Sequence, residues 1–579
     1  MIARAKRIAM IDPFERDLTL DLTSPSFIFP NYGTLSVATT LDKAGYDIRL
    51  YSEFARQEVD WDFVHSADIV LLSLLSFCSH KGYAYVRRIR EVRPDVTIIA
   101  GGSHPTVLPE DALAAGIDFA IRNEGEETVL ELLSVLESGG DPATVDGLSF
   151  LDSAGELVHT KKREFMPDFG PAANLDLMPG YAKKSVWGKA SDYLRFQPQT
   201  MHLPVTQSSR GCPFPCTYCF GRRELGQKYR RRDPREIVTE VKRYVSRLGS
   251  DVIQIVDNDF TIDRNHTLRT IKALYDEFKG ELTFTAFTRV DVAQDEELLE
   301  LMRYAGVRRF WIGVESVHDE TLEAYHKKQT RAKIEQAVET IRRHGIDIIP
   351  LMMFGADTDT PEAMEANIQF VLERDFNQAC FFILYDFPGT AQRFGEHQTI
   401  PDHRYLHHDW RFFNSNFAIH YPKHFRPSVL QKTVIDGYRR LHAKSRGFTH
   451  LLRTGQKDWL LRDYYLSPVR RTMLEYTRHL ERLEEGLYDG SGSLQEDALR
   501  ERIAREPQAD RVPIDQVSWP LRQRISPVKL FADAYHAAFH GLRRRFAPAP
   551  PAPEQRPPEE APPRRRELGS PAISSGESS

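Results

Sequence analysis

Three cysteines, Cys212, Cys216 and Cys219, lie within eight residues of the sequence. Their C-x3-C-x2-C spacing lets three thiolates converge on one metal centre, and Gly211 with two prolines keeps the segment from forming a helix. Iron–sulfur clusters commonly take four cysteine ligands, so three thiolates on a four-iron cluster leave one iron with an open coordination position. Catalysis at a metal requires such a position, and the spacing therefore predicts a catalytic 4Fe-4S cluster.

A structural zinc site and a chance cluster without a metal are the alternatives for these cysteines. Zinc needs a fourth ligand, but no Cys or His follows Cys219 within several residues, and His202 is a poorly spaced donor. The remaining two of the five cysteines, Cys78 and Cys380, stand in apolar runs and are predicted to be buried core thiols. Five cysteines are too few, and odd in number, for a disulfide-based fold.

The cysteine segment lies within a series of alternating strand and helix patterns. Helical patterns separate six apolar runs that are candidate strands, at 205–208, 252–257, 283–288, 309–315, 346–354 and 379–385. This series predicts a complete or partial (β/α) barrel of the TIM type over residues 198–425. In such a barrel the functional groups gather at the carboxyl ends of the strands, and the cysteines follow directly on the first strand.

The first 150 residues form a second series of this kind. Its candidate strands are the short apolar runs at 7–11, 68–75, 96–100 and 117–121. Such βαβ units predict a Rossmann-like or flavodoxin-like α/β domain over residues 1–150, with helices on both faces of a parallel sheet. Open sheets bind ligands beyond the carboxyl ends of their strands, which singles out the turns at 73–79, 101–109 and 123–127.

The rest of the chain shows neither pattern. Gly, Pro and Asp residues interrupt residues 151–197, which are predicted to be a linker. Long amphipathic, Arg-containing stretches such as 428–443 and 466–483 predict a helical appendage over 426–546. Residues 547–579 are dense in Pro, Glu, Arg and Ser, cannot bury enough apolar surface to offset their ordering entropy, and are predicted to be disordered.

Composition narrows the class of protein. The 579 residues carry a formal net charge of −5, so no overall basic field favours nucleic acid binding. The apolar runs are far too short to cross a bilayer and no signal-peptide pattern is seen, so we expect a cytoplasmic protein without a transmembrane segment. The Arg-containing helices after Pro427 leave peripheral membrane contact open, although a solvated charged face is the more frequent cause of such a pattern.

The segment 208–220 resembles the cluster loop of the radical S-adenosylmethionine (radical SAM) superfamily. It reads Ser-Ser-Arg-Gly-Cys-Pro-Phe-Pro-Cys-Thr-Tyr-Cys-Phe, and the resemblance continues through 229–234, 256–260, 311–316 and 354–360. The resemblance implies that the three cysteines hold a 4Fe-4S cluster whose open iron chelates the amino and carboxylate groups of SAM. It also implies that reductive cleavage of SAM yields a 5′-deoxyadenosyl radical.

The same resemblance suggests further binding residues. Asp257 and Asp259 lie at the strand end that holds the methionine amino group, Arg289 is a candidate for the carboxylate, and Glu315 for a ribose hydroxyl. Phe220 is a candidate for packing on the adenine. Each residue has a structural alternative: the two aspartates could cap the next helix, Arg289 and Glu315 could form structural ion pairs, and Phe220 could belong to the core.

Several turns of the first domain resemble the cobalamin-binding domain that precedes many radical SAM enzymes. The matching segments are 30–35, 73–76, 101–105 and 124–127. Paired glycines after a parallel strand let the backbone approach a bulky corrin or its nucleotide tail. The resemblance implies cobalamin contacts from eight residues, namely Ser73, Ser76, Gly101, Gly102, Ser103, His104, Glu124 and Gly125.

One motif of many cobalamin-binding domains is missing from this chain. That motif, Asp-x-His-x-x-Gly, supplies a His ligand to cobalt, whereas this chain has Asp12-Pro13-Phe14 after its first strand. Radical SAM relatives often lack the His, so the resemblance implies cobalt without His ligation from the protein. We expect His104 to contact the nucleotide tail or the surface instead. A flavodoxin-like module that only packs, or that binds another cofactor, is the alternative.

These resemblances imply a cobalamin-dependent radical methyltransferase that methylates an unactivated carbon of a small-molecule or lipid substrate. The cofactors would carry the difficult chemistry while the protein positions them and excludes water. The runner-up is a radical oxidative cyclase or ring-rearranging enzyme of the anaerobic porphyrin-cyclase type. A non-catalytic cobalamin or light sensor is a third hypothesis, which the intact cysteine spacing disfavours. Radical chemistry of this kind also implies an electron donor of the flavodoxin or ferredoxin type.

Overall fold

The computed structural model describes residues 6–14, 31–55, 57–167, 169–179, 204–385, 387, 400–444 and 473–505. The tail at 547–579, which the sequence predicts to be disordered, lies outside the described residues. So do parts of the predicted linker and appendage. Among the helices of the described ranges, none has both the length and the apolar character needed to cross a membrane.

The first sheet has seven strands in the order β2-β1-β3-β4-β5-β6-β7. All neighbours from β2 to β5 pair in parallel, whereas β6 and β7 are antiparallel. The strands are β1 (Arg7–Asp12), β2 (Asp47–Ser52), β3 (Ile69–Ser73), β4 (Thr97–Gly101), β5 (Phe119–Ile121), β6 (Leu148–Leu151) and β7 (Leu157–His159).

Six helices belong to this first sheet, and alternate residues of β1 pack on different sets of them. Ile8 and Met10 join a core with residues of the helices α1 and α6, whereas Ala9 and Ile11 join a core with residues of α2 and α3. This burial on both faces explains the continuous apolar runs of the parallel strands. The helices are α1 (Tyr32–Lys43), α2 (Trp61–Ser66), α3 (Ser79–Val92), α4 (Ser103–Val107), α5 (Pro109–Ala114) and α6 (Glu126–Ser138).

The first sheet differs from the sequence prediction at both of its edges. β2 was not predicted, because as an edge strand it interrupts its apolar pattern with exposed Asp47 and Arg49. At the other edge, β6 and β7 carry the sheet into residues 151–159, which were predicted as linker. The turn between these strands contains Gly155 at φ +81°, so the first residues of the predicted linker close a hairpin instead.

The second sheet consists of six parallel strands, and the six predicted strands are confirmed with small differences at their ends. Its order is β15-β14-β13-β12-β11-β8, so the first and last strands form its two edges and the barrel is partial. A two-stranded antiparallel ribbon, β9 (Ser209–Arg210) with β10 (Arg230–Arg231), flanks the cysteine segment. The strands of the sheet are β8 (Val205–Thr206), β11 (Val252–Ile255), β12 (Thr283–Thr288), β13 (Val307–Glu315), β14 (Asp347–Phe354) and β15 (Cys380–Ile383).

The helices between these strands mostly begin at a capping side chain. The side chains of Asp233, Asp263, Asp295, Thr330 and Thr360 each accept a hydrogen bond from a backbone N–H of the first turn. The helices of this part are α7 (Gly221–Glu224), α8 (Pro234–Leu248), α9 (Arg264–Phe278), α10 (Glu296–Tyr304), α11 (Asp319–Ala324), α12 (Arg331–Arg343) and α13 (Pro361–Glu373).

The C-terminal part is helical, as its amphipathic pattern predicted. It contains α14 (Pro427–Lys444), helical residues 473–483 and α15 (Glu496–Arg505). Tyr438 of α14 packs its ring 4.9 Å from that of Phe381 in β15 and accepts a hydrogen bond of 2.7 Å from the Phe381 N–H. The appendage therefore covers the last strand of the second sheet.

Candidate active site

The loops at the carboxyl ends of both sheets line one cavity of about 330 Å³. The first domain contributes the start of α1 and the residues after β3, β4 and β5. The second contributes Gln207, Arg210, Val256 and Asn258, together with Glu224 and Leu225 from the segment after the cysteines. Loops gather at the carboxyl ends of parallel strands, and here those loops come from both domains. A ligand held in this cavity would therefore contact both domains.

The start of α1 and the end of β3 form one wall of this cavity. Asn31 caps α1 by accepting hydrogen bonds from the N–H groups of Gly33 and Thr34. Ser73, at the end of β3, accepts a hydrogen bond of 2.8 Å from the Thr34 hydroxyl, and the Asn31 amide lies 3.5 Å from the same oxygen. The structure thus places Ser73 on the cavity wall, as the sequence predicted.

The turn after β4 forms a second wall, and two of its residues leave room for a ligand. Gly102 has φ +99°, and a Cβ there would stand 2.7 Å from the carbonyl oxygen of Leu74, so only glycine fits. A Cβ on Gly101 would find its nearest neighbour at 3.9 Å, so this backbone is open to the cavity. The Ser103 hydroxyl is buried, lines the cavity and has no hydrogen-bond partner among the described residues. An open backbone with an unsatisfied hydroxyl fits a bulky, partly polar ligand such as cobalamin.

Two residues that the resemblance assigned to cobalamin, Ser76 and His104, do not line this cavity. His104 is fully buried, and its ring nitrogens lie 3.2 Å from the Ser76 hydroxyl and 2.8 Å from the Tyr83 hydroxyl. Its ring also packs edge-on against Trp410 at 5.6 Å. The expectation that His104 lies at the surface is therefore wrong, because both nitrogens are bonded inside the protein. Neither His104 nor Ser76 lines the cavity.

Glu124 and Gly125, after β5, line the cavity, but the Glu124 carboxylate is already occupied. Arg210 donates to it at 3.0 Å, and Arg230 donates to both of its oxygens at 2.8 Å. The backbone N–H of Met166 adds a fourth hydrogen bond of 2.8 Å. The Glu124 side chain thus joins the two domains, while the backbone around it faces the cavity.

Glu126 extends this network at the start of α6. Its carboxylate accepts hydrogen bonds of 2.8 Å from Arg210 and from the Ser36 hydroxyl. Burial raises the pKa of Glu126, but the charge and hydrogen bonds of Arg210 outweigh burial and bring the pKa below its ordinary value. Glu126 is therefore a carboxylate paired with the residue that precedes the cysteine segment.

The cysteine segment leaves β9 through a tight turn. Gly211 has φ +89°, and a Cβ there would collide with the Lys228 carbonyl, so the turn needs glycine. The Cys212 N–H donates to the Gly226 carbonyl at 3.0 Å, and the Cys219 N–H donates to the Cys216 carbonyl at 3.2 Å. These bonds fold the segment back on itself and hold all three thiols on one loop.

Burial raises the pKa of the Cys212 and Cys219 thiols, and the neighbouring cysteines of the loop add to the rise. Within the residues that the structure describes, no three His, Cys, Asp or Glu side chains converge closely enough to hold a single metal ion. In a 4Fe-4S cluster each thiolate binds a different iron, so its ligands lie farther apart than those of one ion. The three thiols lie on one loop, and the guanidinium of Arg289 lies beside Cys216. This donor set fits a 4Fe-4S cluster.

Asp257 supports the residues that lead into the cysteine segment. Its two oxygens accept hydrogen bonds from the Ser208 N–H at 2.6 Å, the Ser208 hydroxyl at 2.5 Å and the Ser209 hydroxyl at 2.6 Å. Burial raises its pKa to about 6, although these bonds oppose the rise. Asp257 does not cap α9, whose first turn is capped by Asp263, so the capping alternative is wrong for this residue.

Asp259 lies beside the end of β12. Its Oδ1 accepts hydrogen bonds of 2.9 Å from both the N–H and the hydroxyl of Thr261, and one of 3.2 Å from the Thr288 hydroxyl. Burial raises its pKa, while the Thr261 bonds and the charge of Arg289 oppose the rise. Like Asp257, Asp259 does not cap α9.

Arg289, directly after β12, contacts the cysteine loop. Its Nη1 lies 3.9 Å from the Cys216 sulfur, and its guanidinium stands 4.1 Å above the Phe214 ring. Its other nitrogens donate to the Lys327 carbonyl at 2.8 Å and to Asp291 at 3.0 Å. The structure therefore brings together a fixed cation and the thiols, an arrangement that fits an anionic ligand at the cluster.

Glu315 ends β13 in a strained conformation, with φ +65°. Its carboxylate accepts hydrogen bonds of 2.8 Å from the Tyr218 hydroxyl and 2.9 Å from the Lys327 ammonium. Lys327 also donates to the Tyr218 oxygen at 3.0 Å. This buried triad adjoins the cysteine loop, because Tyr218 stands between two of the cysteines in sequence.

Two residues after the cysteines complete the site. Phe220 is half-buried, and its ring packs 4.5 Å from that of Phe387. Glu224 lines the cavity, where burial raises the pKa of its carboxyl to about 7 against the opposing charge of Arg210. The cavity therefore contains one carboxyl that can hold or release a proton near neutral pH.

Sequence reasoning gave no individual role to several residues that the structure brings to the site, namely Asn123, Arg210, Arg230, Tyr218 and Lys327. Asn123 lies in a turn that the sequence singled out, and Arg230 lies in a segment that carries the family resemblance. Arg210 and Tyr218 stand inside the cluster-loop motif, so the motif carried a signal for them. Lys327 lies far from the cysteines along the chain, in a segment where His326 and Lys328 have positive φ. No spacing rule connects Lys327 to Glu315; only the fold does.

Comparisons with known proteins agree with this geometry. Residues 206–371 match the family model of the Radical SAM superfamily, and residues 19–133 match that of the B12 binding domain. The chain is 24% identical over 375 residues to an uncharacterized methyltransferase of Pyrococcus horikoshii, covering 64% of this chain and 78% of that protein. It is 28% identical over 373 residues to the anaerobic magnesium-protoporphyrin IX monomethyl ester cyclase of a Synechocystis species, covering 62% and 69%.

A solved structure shares the fold. It is that of the radical S-adenosylmethionine methyltransferase TsrM from Kitasatospora setae, with cobalamin and a 4Fe-4S cluster bound. The TM-score is 0.53 at 18% sequence identity, and the match covers 67% of this chain and 74% of that one. The two kinds of domain that the motifs suggested thus each have a matching family model in this chain, and the solved structure shares the fold.

Proposed function

We propose that this chain, in which a B12-binding domain precedes a radical SAM domain, is a cobalamin-dependent radical SAM methyltransferase. The observation that carries the proposal is the cavity that both domains line at the carboxyl ends of their strands. A cofactor held by the turns after β3, β4 and β5 would there stand opposite the end of the radical SAM sheet. Methyl transfer to a carbon radical needs such a placement, since donor and radical must approach each other directly.

The residues present fit the groups that this function requires. Cys212, Cys216 and Cys219 would hold the 4Fe-4S cluster, and the cavity beside Gly101 and Ser103 would hold part of cobalamin. When bound, the cluster with SAM supplies a 5′-deoxyadenosyl radical that abstracts hydrogen, and cobalamin supplies the methyl group. The protein supplies binding, orientation and exclusion of water.

The charged residues around the cysteine loop would orient SAM. The Arg289 guanidinium, fixed by Asp291 and the Lys327 carbonyl, is placed to bind a carboxylate at the cluster. Glu315, held by Lys327 and Tyr218, would accept a hydrogen bond from a ribose hydroxyl. Both side chains are fixed before the ligand binds, so little ordering entropy is lost on binding.

The substrate and the reductant belong to the same proposal. The substrate is a small molecule or a lipid, and the half-buried rings of Phe220 and Phe387 would offer it an apolar surface beside the loop. Reductive cleavage of SAM consumes one electron, so an electron donor of the flavodoxin or ferredoxin type is required.

An oxidative cyclase is the second candidate function, because the chain is also 28% identical to a cyclase. Both candidates use a radical from SAM, and they differ in the fate of the substrate radical. Only the methyltransferase consumes a second SAM as methyl donor and releases S-adenosylhomocysteine. That product therefore separates the two functions.

The test uses the full chain, purified without oxygen and loaded with iron, sulfide and hydroxocobalamin. With dithionite and SAM, 5′-deoxyadenosine and S-adenosylhomocysteine are quantified by chromatography. We expect both products, with S-adenosylhomocysteine depending on cobalamin. Deoxyadenosine together with cobalamin-independent or absent S-adenosylhomocysteine would favour the cyclase.

Two variants serve as controls. Replacing Cys212, Cys216 and Cys219 together by Ala is expected to abolish both the cluster absorbance and deoxyadenosine. Cys380→Ala makes the same change at a buried thiol outside the loop and is expected to retain the iron. If wild-type protein binds neither cluster nor cobalamin, the proposed function is wrong.

A further inference from the structure

We propose that Asn123, Glu124 and Glu126 form an interdomain clamp that holds the cysteine loop at both of its ends. The proposal rests on the proposed function, because it assigns to these residues the positioning of the cluster relative to cobalamin. Sequence resemblance suggested Glu124 as a cobalamin contact, whereas its carboxylate is engaged by two arginines of the other domain.

The first end of the loop is held through Arg210, which directly precedes Gly211 and Cys212. Arg210 divides its guanidinium between Glu124 at 3.0 Å and Glu126 at 2.8 Å, and donates to Gln207 at 2.9 Å. These contacts use all three guanidinium nitrogens. Arg210 therefore has little freedom to move without breaking bonds to the first domain.

The second end of the loop is held through α7, which follows Cys219. The Asn123 amide donates to the carbonyl oxygens of Arg223 at 3.0 Å and Glu224 at 3.4 Å. Arg230, paired with Glu124, donates to the Leu225 carbonyl at 2.8 Å. Asn123 of the first domain thus caps the end of the short helix directly, whereas Glu124 acts on it through Arg230 of the second domain.

The clamp is buried, which makes its geometry costly to change. The side chains of Arg210, Glu124 and Glu126 are 4%, 5% and 5% exposed. Removing one partner of a buried ion pair leaves a charge without compensation, while a fully bonded network favours one arrangement. Asn123 itself has φ +66°, an unusual conformation for a residue other than glycine that the surrounding contacts maintain.

The same turn that carries the clamp also lines the cavity. Asn123, Glu124, Gly125 and Glu126 all contribute to its wall. The side chains of Asn123, Glu124 and Glu126 reach the residues at the two ends of the cysteine loop, either directly or through Arg210 and Arg230. This turn therefore links the cysteine loop to the wall of the cavity that would hold a corrinoid, and we assign Asn123 and Glu124 as positioning residues.

The experiment compares the loaded wild-type chain with Asn123→Gly and Glu124→Gln. Asn123→Gly removes the amide but keeps a residue that adopts positive φ without strain. This variant is therefore expected to fold even if Glu124→Gln does not. The matched control is Glu484→Gln, a buried carboxylate that binds Ser428 in the C-terminal part and does not line the cavity. Iron and cobalamin per chain, and the melting temperature, are measured for all four proteins.

The decisive measurement is the electron spin relaxation of cob(II)alamin. Dithionite reduction makes the cluster paramagnetic beside cob(II)alamin, and the spin relaxation of cob(II)alamin then depends steeply on the distance between the two centres. We expect relaxation in wild type and Glu484→Gln to quicken when the cluster is reduced. In the two clamp variants we expect a smaller acceleration and a wider range of relaxation rates within the sample. We also expect deoxyadenosine formation to fall roughly tenfold or more, as for supporting residues of metal sites.

The possible outcomes distinguish a failure of the clamp proposal from a failure of the proposed function. Clamp variants that keep both cofactors and show wild-type relaxation and deoxyadenosine rates would overturn the clamp alone. A slower rate with unchanged relaxation would also overturn it, because the defect would then not be one of position. A wild-type protein that binds no cobalamin would overturn the proposed function, and the clamp with it.

Discussion

At the scale of single residues, the candidate SAM-binding side chains already carry partners. Arg289 is bonded to Asp291 and to a backbone carbonyl, and Glu315 is bonded to Lys327 and Tyr218. The structural alternative to a binding role is therefore present in the same geometry. The two roles are compatible, because partners that fix a side chain also prepare it to meet a ligand.

Arg289→Lys tests the binding role at the cluster. Lysine keeps the positive charge but cannot reproduce the planar fork that reaches Asp291, the Lys327 carbonyl and the Cys216 sulfur together. We expect cluster loading to stay near wild type while the apparent affinity for SAM falls about tenfold or more. Titration of SAM against the EPR spectrum of the reduced cluster measures the change, and unaltered affinity would remove Arg289 from the SAM site.

Asp12 gives a prediction about pH. It is fully buried at the end of β1, and burial raises the pKa of its carboxyl from 3.8 to about 8, although hydrogen bonds from Ser52 and Asn31 oppose the rise. The folded chain thus keeps a proton that the unfolded chain releases above about pH 4. The stability that Asp12 contributes is complete below that pH and is lost as the pH rises towards 8.

Asp12→Asn removes this titration while keeping the shape of the side chain. Between pH 4 and pH 8, we expect the free energy of unfolding of the variant to gain on that of wild type by about 5 kcal/mol. Urea unfolding at several pH values measures the difference. A constant difference across this range would show that Asp12 does not titrate there.

At the scale of elements, the turns after the parallel strands decide what the cavity can hold. Gly102 lets the chain pass against the backbone of Leu74, and Gly211 does the same against Lys228 at the start of the cysteine loop. In both places a side chain would meet backbone, which cannot move aside as a flexible side chain can. These two glycines set the shape of the turns that carry the site.

Gly102→Ala and Gly45→Ala form a matched pair that separates strain from contact. Both glycines have positive φ, at +99° and +91°, but a Cβ on Gly45 meets nothing within 4 Å. We expect Gly102→Ala to cost about 1–3 kcal/mol more than Gly45→Ala in the free energy of unfolding, because only Gly102 faces the Leu74 carbonyl. Cobalamin binding, followed by absorbance, is expected to weaken only in Gly102→Ala. Equal losses of stability and of cobalamin binding in both variants would mean that the backbone moves to relieve the contact between the added Cβ and the Leu74 carbonyl.

At the scale of the whole molecule, two parallel sheets present their carboxyl ends to one cavity. The buried pair of Arg232 with Glu240 supports this arrangement, since Tyr32 of the first domain bonds to both of its members. Trp410, which follows the last strand of the second sheet along the chain, adds a hydrogen bond of 3.0 Å to Asp111 in the first domain. A ligand in the cavity therefore acts on more than one domain.

Hydrogen exchange measures this coupling directly. Binding of hydroxocobalamin is expected to slow amide exchange both in the turn 123–126 and in the segment 211–225, because the two share the clamp and the cavity wall. Helix α12, which does not line the cavity, is the internal reference and is expected to exchange at an unchanged rate. Protection confined to the first domain would show that the domains respond independently.

Much of this protein followed from the sequence alone. The apolar runs with intervening helices predicted two α/β units because parallel strands buried on both faces have continuous apolar stretches. The spacing of Cys212, Cys216 and Cys219, and the motif around them, predicted the cluster loop. The glycine turn after β4 was predicted because glycine there has a local reason, its backbone conformation, that the sequence itself displays.

The tertiary structure alone decided which side chains meet. Arg210 pairs with Glu124 across 86 residues, Lys327 with Glu315 across a strained turn, and Asn123 reaches α7 from the other domain. His104 and Ser76, expected at the ligand, bond to each other away from the cavity wall. The periodicity of apolar residues and the spacing of motif residues report local conformation. These contacts depend instead on the relative placement of two domains, which no local pattern of residues encodes.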